Sequence, residues 1–199
     1  MRPIQTSLAA ACFTLLAVAA APAQEPVITG LWQQVDPSSG KTEAWFLFAE
    51  RNGVFEGAIA KMFPEPGREP NPRCTQCEGA QKNAPFLGLV IIKGMRRDGL
   101  EYEEGSILDP RDGTRYGALM RLSPDGQTLT VRGYLGISLF GKDQTWTRLP
   151  DAAYAQLDSS IRARAQSAAP SSATSKRSSR QTRPPAPPAA AAQASPQRW

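Results

Sequence analysis

Few residues in the chain could do chemistry, and their spacing narrows the options. Its 199 residues include three cysteines and no histidine. A Ser-His-Asp or Cys-His relay, an imidazole metal site and a histidine proton shuttle are therefore excluded. Two of the cysteines form the pair Cys74-Thr75-Gln76-Cys77. A thioredoxin-like redox role places such a pair at a helix N-terminus inside a βαβ unit. Here it lies in a stretch rich in proline and glycine, which favours a disulfide acting as a structural loop clasp in an oxidising compartment. Zinc needs four Cys- or His-type ligands, and this segment offers two thiols. No metal and no other cofactor is expected.

The carboxylates offer little more. Adjacent residues of a strand point to opposite faces, so Glu103 and Glu104 should not share a substrate. Asp109 and Asp112 flank a turn too short to gather six calcium oxygens. Asp109 reads instead as a structural acceptor for the backbone N–H groups of its own turn. Neither a CxxC oxidoreductase nor a carboxylate hydrolase finds its supporting residues, and no catalytic residue is assigned.

The stretch Arg132-Gly133-Tyr134-Leu135-Gly136-Ile137-Ser138-Leu139-Phe140-Gly141 is the best candidate for binding. Arg132 and Tyr134 share a strand face, and the glycines permit close approach of a ligand or another backbone. Ile137–Phe140 is apolar for a connection, so it should fold over something, as a barrel plug or as a mouth flap. With Trp45, Phe48, Tyr116, Tyr134 and Phe140 supplying contact area, Arg132 would orient the polar or anionic group of a small, partly apolar molecule held inside the barrel.

These residues are positioned by a regular series of strands. Turn signals ending in glycine recur at Gly40, Gly53, Gly99, Gly113 and Gly126, several of them Asn-Gly or Asp-Gly. Between them, strands are predicted near 28–35, 42–49, 54–62, 88–95, 100–108, 114–122, 127–135 and 143–149. Even positions of Tyr116–Leu122 form one apolar face. Trp45-Phe46-Leu47-Phe48 is apolar on both faces, as expected if another element covers its outside. The long connection Phe63–Phe86 carries the cysteine pair, and a disulfide would pin it. Eight antiparallel strands joined mostly by hairpins predict an all-β, up-and-down barrel, with an interior filled by side chains or holding one small ligand. Glu101, Glu103 and Glu104 would charge both faces of one strand, which argues against an outer-membrane barrel. Gly30-Leu31-Trp32 opens the first strand and Trp146-Thr147-Arg148 closes the last, so Arg148 could lie across the Trp32 ring as a structural lid. This arrangement resembles the signature of lipocalins.

The ends complete the plan. Met1–Ala23 reads as a signal peptide cleaved after Ala23, giving a periplasmic or secreted protein. A rival reading makes Cys12 a lipoprotein cysteine, but the apolar run continues past it. Tyr154, Leu157 and Ile161 fall on one helical face, so a short helix is expected over 150–166 against the barrel domain 24–149. Residues 167–199, rich in Ala, Pro, Ser and Arg, should be disordered. From Ile161 onward there are seven basic residues and no acid, while Gln24–Ser160 carries 15 basic against 18 acidic residues. That tail is either a solubilising spacer or a contact to an anionic envelope surface. No nucleic-acid partner is expected.

Taken together, Gly30-x-Trp32, Gly40-Lys41, Cys74-x-x-Cys77-x-Gly79, Pro85-x-x-Gly88-Leu89, Gly105-x-Ile107-Leu108-Asp109-Pro110, Gly113-x-x-Tyr116, Arg132-Gly133-Tyr134-x-Gly136 and Trp146-x-Arg148 resemble domain of unknown function family 2147. The resemblance covers about Gly30–Leu149. It implies an exported, lipocalin-like bacterial protein and no particular activity.

Overall fold

The computed structural model describes residues 25–168; the expected signal peptide with its cleavage site, Cys12, and the tail from 169 onward lie outside them. Eight strands follow one another as β1 (Gly30–Val35), β2 (Thr42–Arg51), β3 (Val54–Met62), β4 (Val90–Asp98), β5 (Glu101–Leu108), β6 (Arg115–Leu122), β7 (Thr128–Tyr134) and β8 (Lys142–Arg148). Each pairs antiparallel with the next, and β8 returns to β1, so the sheet closes into an eight-stranded barrel. Closure is made by Trp32 opposite Arg148, Gln33 opposite Thr147 and Gln34 opposite Trp146. The hairpins sit where the glycines predict them. Asn52 and Gly53 both take positive φ, 53° and 77°, the conformation a two-residue turn between right-twisted strands requires.

Period-two alternation sends Trp32, Phe46, Phe48, Phe55, Tyr102, Met120, Leu129 and Trp146 into one continuous buried cluster within the barrel. The rings interlock. Phe46 stacks on Trp146 with centroids 4.1 Å apart, Phe48 tilts onto Trp146 at 6.1 Å, and Phe55 meets Tyr102 edge-on at 5.0 Å. Trp32, Trp146, Tyr102 and Phe48 are fully buried. Of the two interiors open to a barrel of this size, the chain adopts the one filled by side chains.

A second cluster lies on the outer wall. Leu31, Trp45, Leu47 and Ala60 pack there against Ala153, Leu157 and Ile161, so the doubly apolar run in β2 is explained by a covering element. That element is in two pieces. A 3-10 turn spans Asp151–Gln156, Leu157 is extended (φ −79°, ψ 154°), and helix α1 begins at Ser159 and runs to Ala168. The expected short C-terminal helix is present as α1, but it starts at Ser159 rather than near 150 because Asp158 caps it. Its carboxylate accepts the Ser160 backbone N–H at 2.8 Å and the Ser160 hydroxyl at 2.7 Å.

A bulge in β5 corrects another expectation. Tyr102 pairs with Met120 and Gly105 with Ala118, so two residues lie between partners separated by one. Glu104 takes φ +64°, and Glu103 and Glu104 are both exposed rather than facing opposite sides. Gly105 is required beside them: a Cβ there would overlap the Met95 sulfur and come within 2.6 Å of the Lys93 carbonyl. Glu101 pairs with Arg121 at 2.6 Å and Glu104 with Arg96 at 3.3 Å. Among the described residues, no helix is long and apolar enough to cross a membrane.

Candidate functional site

In an up-and-down barrel, odd-numbered connections share one end. The β1–β2, β3–β4, β5–β6 and β7–β8 connections therefore form one rim, and the N-terminal segment reaches the other end. There Trp32 and Arg148 close the barrel. The Arg148 guanidinium carbon lies 4.3 Å from the Trp32 ring centroid. Its three nitrogens donate to the carbonyls of Gly126, Thr29 and Val27 at 2.5, 2.7 and 2.5 Å. The Trp32 indole donates to Ile28 O at 2.7 Å, and Ile28 N–H donates to the Tyr102 hydroxyl at 3.2 Å. Burial pushes the Tyr102 phenol upward from its ordinary pKa. Every group here is spent on architecture.

At the rim, the long β3–β4 connection carries a Cys74–Cys77 disulfide, with Cα atoms 5.3 Å apart. Both cysteines are buried in the same cluster as Ile92 and Met120. Cys74 exchanges backbone hydrogen bonds with Ala84 and Asn83, and Arg73 bridges to Pro85. The segment presses on the β5–β6 turn, where a Cβ on Gly113 would collide with the Gln76 carbonyl. Asp109 organises that turn: its carboxylate accepts the Arg111 backbone N–H at 3.0 Å and the Arg111 guanidinium. This pairing holds its carboxyl below the usual carboxylate range. The clasped connection, not the apolar β7–β8 segment, covers this end.

The β7–β8 connection is consequently left outside. Leu135, Ile137, Leu139 and Phe140 are 63%, 59%, 75% and 78% exposed. The segment was expected to fold over the mouth as plug or flap, and it does neither. Gly136, at φ +76°, and a 3-10 turn over Ser138–Phe140 shape it as a projecting tip. Its base is clamped by Arg132, which donates to both Asp143 carboxylate oxygens at 2.5 and 2.9 Å and to Ser138 O at 3.3 Å. The pairing lowers the Asp143 carboxyl and raises the Arg132 guanidinium.

The six residues expected to line a ligand cavity thus divide. Trp45 points outward into the cluster beneath the C-terminal segment, with its indole N–H donating to Gln33 at 3.2 Å. Phe48 points inward but is packed solid against Trp146, and a Cβ on Gly57 would lie 3.0 Å from its ring. Neither lines free space. Tyr116 is half-buried beside Gly133. Arg132 and Tyr134 do share a face, but it is the outer one, where Tyr134 covers Gly117 so closely that a Cβ there would overlap its ring. Tyr116 shares the luminal face of β6 with Ala118 and Met120, whereas Arg132 and Tyr134 stand on the outer face at the foot of the β7–β8 connection and Phe140 lies at its tip. Leu135, Ile137 and Leu139 belong with Phe140, and their apolar character within a connection was the signal for them.

Two open concavities lie on the outer wall. One of about 340 Å³ is lined by Lys61, Met62, Pro70, Leu87 and Gln156. Another of about 380 Å³ lies between Pro85, Gly88, Val90 and Lys93 on one side and Ser160 and Ile161 on the other. Among the described residues, no group of three or more Cys, Asp or Glu side chains could hold a metal ion.

The model of a family described as an uncharacterized protein conserved in bacteria (DUF2147) matches residues 30–148, β1 through β8. The chain belongs to this family. Among solved structures, protein HP1028 from the human pathogen Helicobacter pylori, described as belonging to the lipocalin family, is similar to this DUF2147 chain with a TM-score of 0.57. The two are 19% identical, and the likeness covers 70% of this chain and 98% of that one. It shows a shared lipocalin-like fold. No curated protein matches the chain in sequence.

Proposed function

We propose that this DUF2147 chain is an exported binding protein that engages a small, partly apolar molecule at the barrel rim, with the barrel as a rigid scaffold. The observation that carries this reading is the run of four large apolar side chains, 59–78% exposed, on one connection of an otherwise well-packed domain. Soluble domains rarely leave such a contiguous patch without a partner. The apolar part of the ligand would lie on Leu135, Ile137, Leu139 and Phe140, and its polar group would face Arg132 at the foot of the loop. The filled lumen moves the contact from the barrel interior to this loop.

Titration with anilinonaphthalene sulfonate, a small amphipathic anion, tests the reading. Saturable fluorescence enhancement is expected for the mature protein, falling at least about ten-fold in affinity in Leu139→Asp/Phe140→Asp. These side chains are exposed, so the fold should be unaffected. Equal binding by the variant would overturn the assignment.

A further inference from the structure

We propose that the ligand carries an anion beyond a hydroxyl-bearing spacer, and that Lys93 on the outer wall reads this anion across the hydroxyls of Tyr134 and Ser106. The inference rests on the β7–β8 loop being the contact site. It names the class of molecule that loop takes: one apolar chain joined through a polar spacer to a phosphate-type anion.

Strand register lays out the path. Tyr134 on β7 stands opposite Gly117 on β6, Gly117 opposite Ser106 on β5, and Ser106 opposite Lys93 on β4. All four lie on the outer face. Their neighbours Ala118, Ile107 and Ile92 pack into the luminal cluster, and adjacent strand residues point to opposite sides. Because Gly117 has no side chain, the Tyr134 ring lies directly against β6. A Cβ on Gly117 would sit 2.9 Å from the Tyr134 hydroxyl. The hydroxyl therefore stands over β6, one strand from Ser106 and two from Lys93. Neighbouring strands are about 4.8 Å apart, so this leaves roughly 10 Å of wall for the head of a molecule whose apolar chain lies on the loop.

The polar groups along this row have no partners of their own. Among the described residues, no hydrogen bond or ion pair engages the side chain of Tyr134, Ser106 or Lys93. All three are partly buried. A partly desolvated ammonium without a counter-ion gains from a bound anion, and each hydroxyl can donate to or accept from a polar spacer. Arg132 is closer to the loop, but Asp143 already takes up its charge. Glu104, on the same strand as Ser106, is held by Arg96. Lys93 also lines the outer-wall concavity beside Val90 and Ile161, whose lining contains no Asp or Glu. The order of groups leading away from the loop is thus hydroxyl, hydroxyl, cation, which complements a spacer that ends in an anion.

The test compares three probes titrated into the mature full chain below their micelle concentrations, with binding followed by backbone amide shifts. Lauroyl lysophosphatidic acid carries chain, spacer and phosphate, monolauroylglycerol lacks the phosphate, and glycerol 3-phosphate lacks the chain. The phosphate-bearing lipid is expected to bind at least about ten-fold tighter than monolauroylglycerol, shifting Ser106 and Lys93 amides that the neutral lipid leaves in place. Lys93→Gln should remove the difference, Lys93→Arg should keep it, and Lys142→Gln, on the β8 side of the loop, should leave it intact. Leu139→Asp/Phe140→Asp should weaken both lipids. Equal affinity for the two lipids in the unaltered protein would overturn the proposal, as would a difference that survives Lys93→Gln or vanishes in Lys142→Gln. Glycerol 3-phosphate binding as tightly as the lipid would also overturn it, because the anion would then be held without the loop. If both lipids bind alike and depend on the loop, the anion inference falls and the proposed function stands. If neither lipid nor anilinonaphthalene sulfonate depends on the loop, both fall.

Discussion

The Arg148 guanidinium carbon lies over the indole of Trp32, 4.3 Å from its centroid, and the same side chain ties together three carbonyls from two distant segments. The pair joins the first strand to the last, and joins both to the Ser123–Gly126 turn and the residues that lead into β1. Burial lowers the Arg148 pKa, yet an arginine stays charged throughout the pH range of folded proteins.

Arg148→Met keeps the apolar stem and removes every one of these bonds. Hydrogen bonds to a charged group contribute about 1.5–3 kcal/mol each, and their losses are not additive. The variant should be less stable by about 3 kcal/mol, a fall of roughly 12 °C in Tm for a domain of this size. Thermal unfolding by circular dichroism checks it. A change under 3 °C would mean the cap is dispensable.

The filled interior makes its own prediction. Trp146→Ala would remove the ring that stacks on Phe46 and tilts onto Phe48. It should cost about 3–5 kcal/mol and leave a cavity in the lumen. Added indole should then raise the Tm of the variant and leave that of the unaltered protein unchanged. An equal effect on both would show that the native lumen already accepts a guest.

Removing the Cys74–Cys77 link should loosen the connection without unfolding the barrel. Only three positions separate the cysteines, so loop-closure entropy accounts for about 2 kcal/mol. Cys74→Ser/Cys77→Ser should show that loss in urea unfolding, and a thiol reductant should lower the unaltered protein by the same amount. Retained stability in both cases would mean the link is no clasp.

Acid should weaken the rim turns. Asp36 accepts from the Ser38 hydroxyl, the Ser39 backbone, the Ser39 hydroxyl and the Ser38 backbone, and these bonds bring its pKa down to about 2. The Arg111 guanidinium depresses Asp109 in the same direction. A carboxyl whose folded pKa is depressed contributes stability that is fully present above its unfolded value, near pH 4, and lost as pH falls through the folded one. The urea midpoint should therefore fall between about pH 4 and pH 2, and fall less steeply in Asp36→Asn/Asp109→Asn. Identical slopes would contradict the assignment.

Strand number, order and turn positions were legible because period-two apolar alternation and Asn-Gly or Asp-Gly turns act locally, within a few residues of each other. Facing was legible only in relative terms. Arg132 and Tyr134 could be placed on one face, but which face is outside depends on what packs against Leu129 and Val131, and those partners, Trp146 and Met120 among them, are distant in sequence. The bulge at Glu103 and Glu104 escaped notice because it is enforced across strands, where Met95 and Lys93 leave room for no side chain at Gly105. The break before α1 could have been read from Asp158-Ser159-Ser160, a capping sequence inside an apolar helical pattern. The β7–β8 connection was recognised as unusual, but its direction follows from the clasped β3–β4 connection having already taken the space at the rim.

The most direct test of rim binding is paramagnetic broadening of backbone amide signals by a nitroxide-labelled fatty acid added to the mature protein. The structure predicts selective broadening at Leu135–Gly141 and Arg132, with Ile92, Met120 and Trp146 spared. Broadening centred on those three luminal residues, with the β7–β8 loop unaffected, would contradict it.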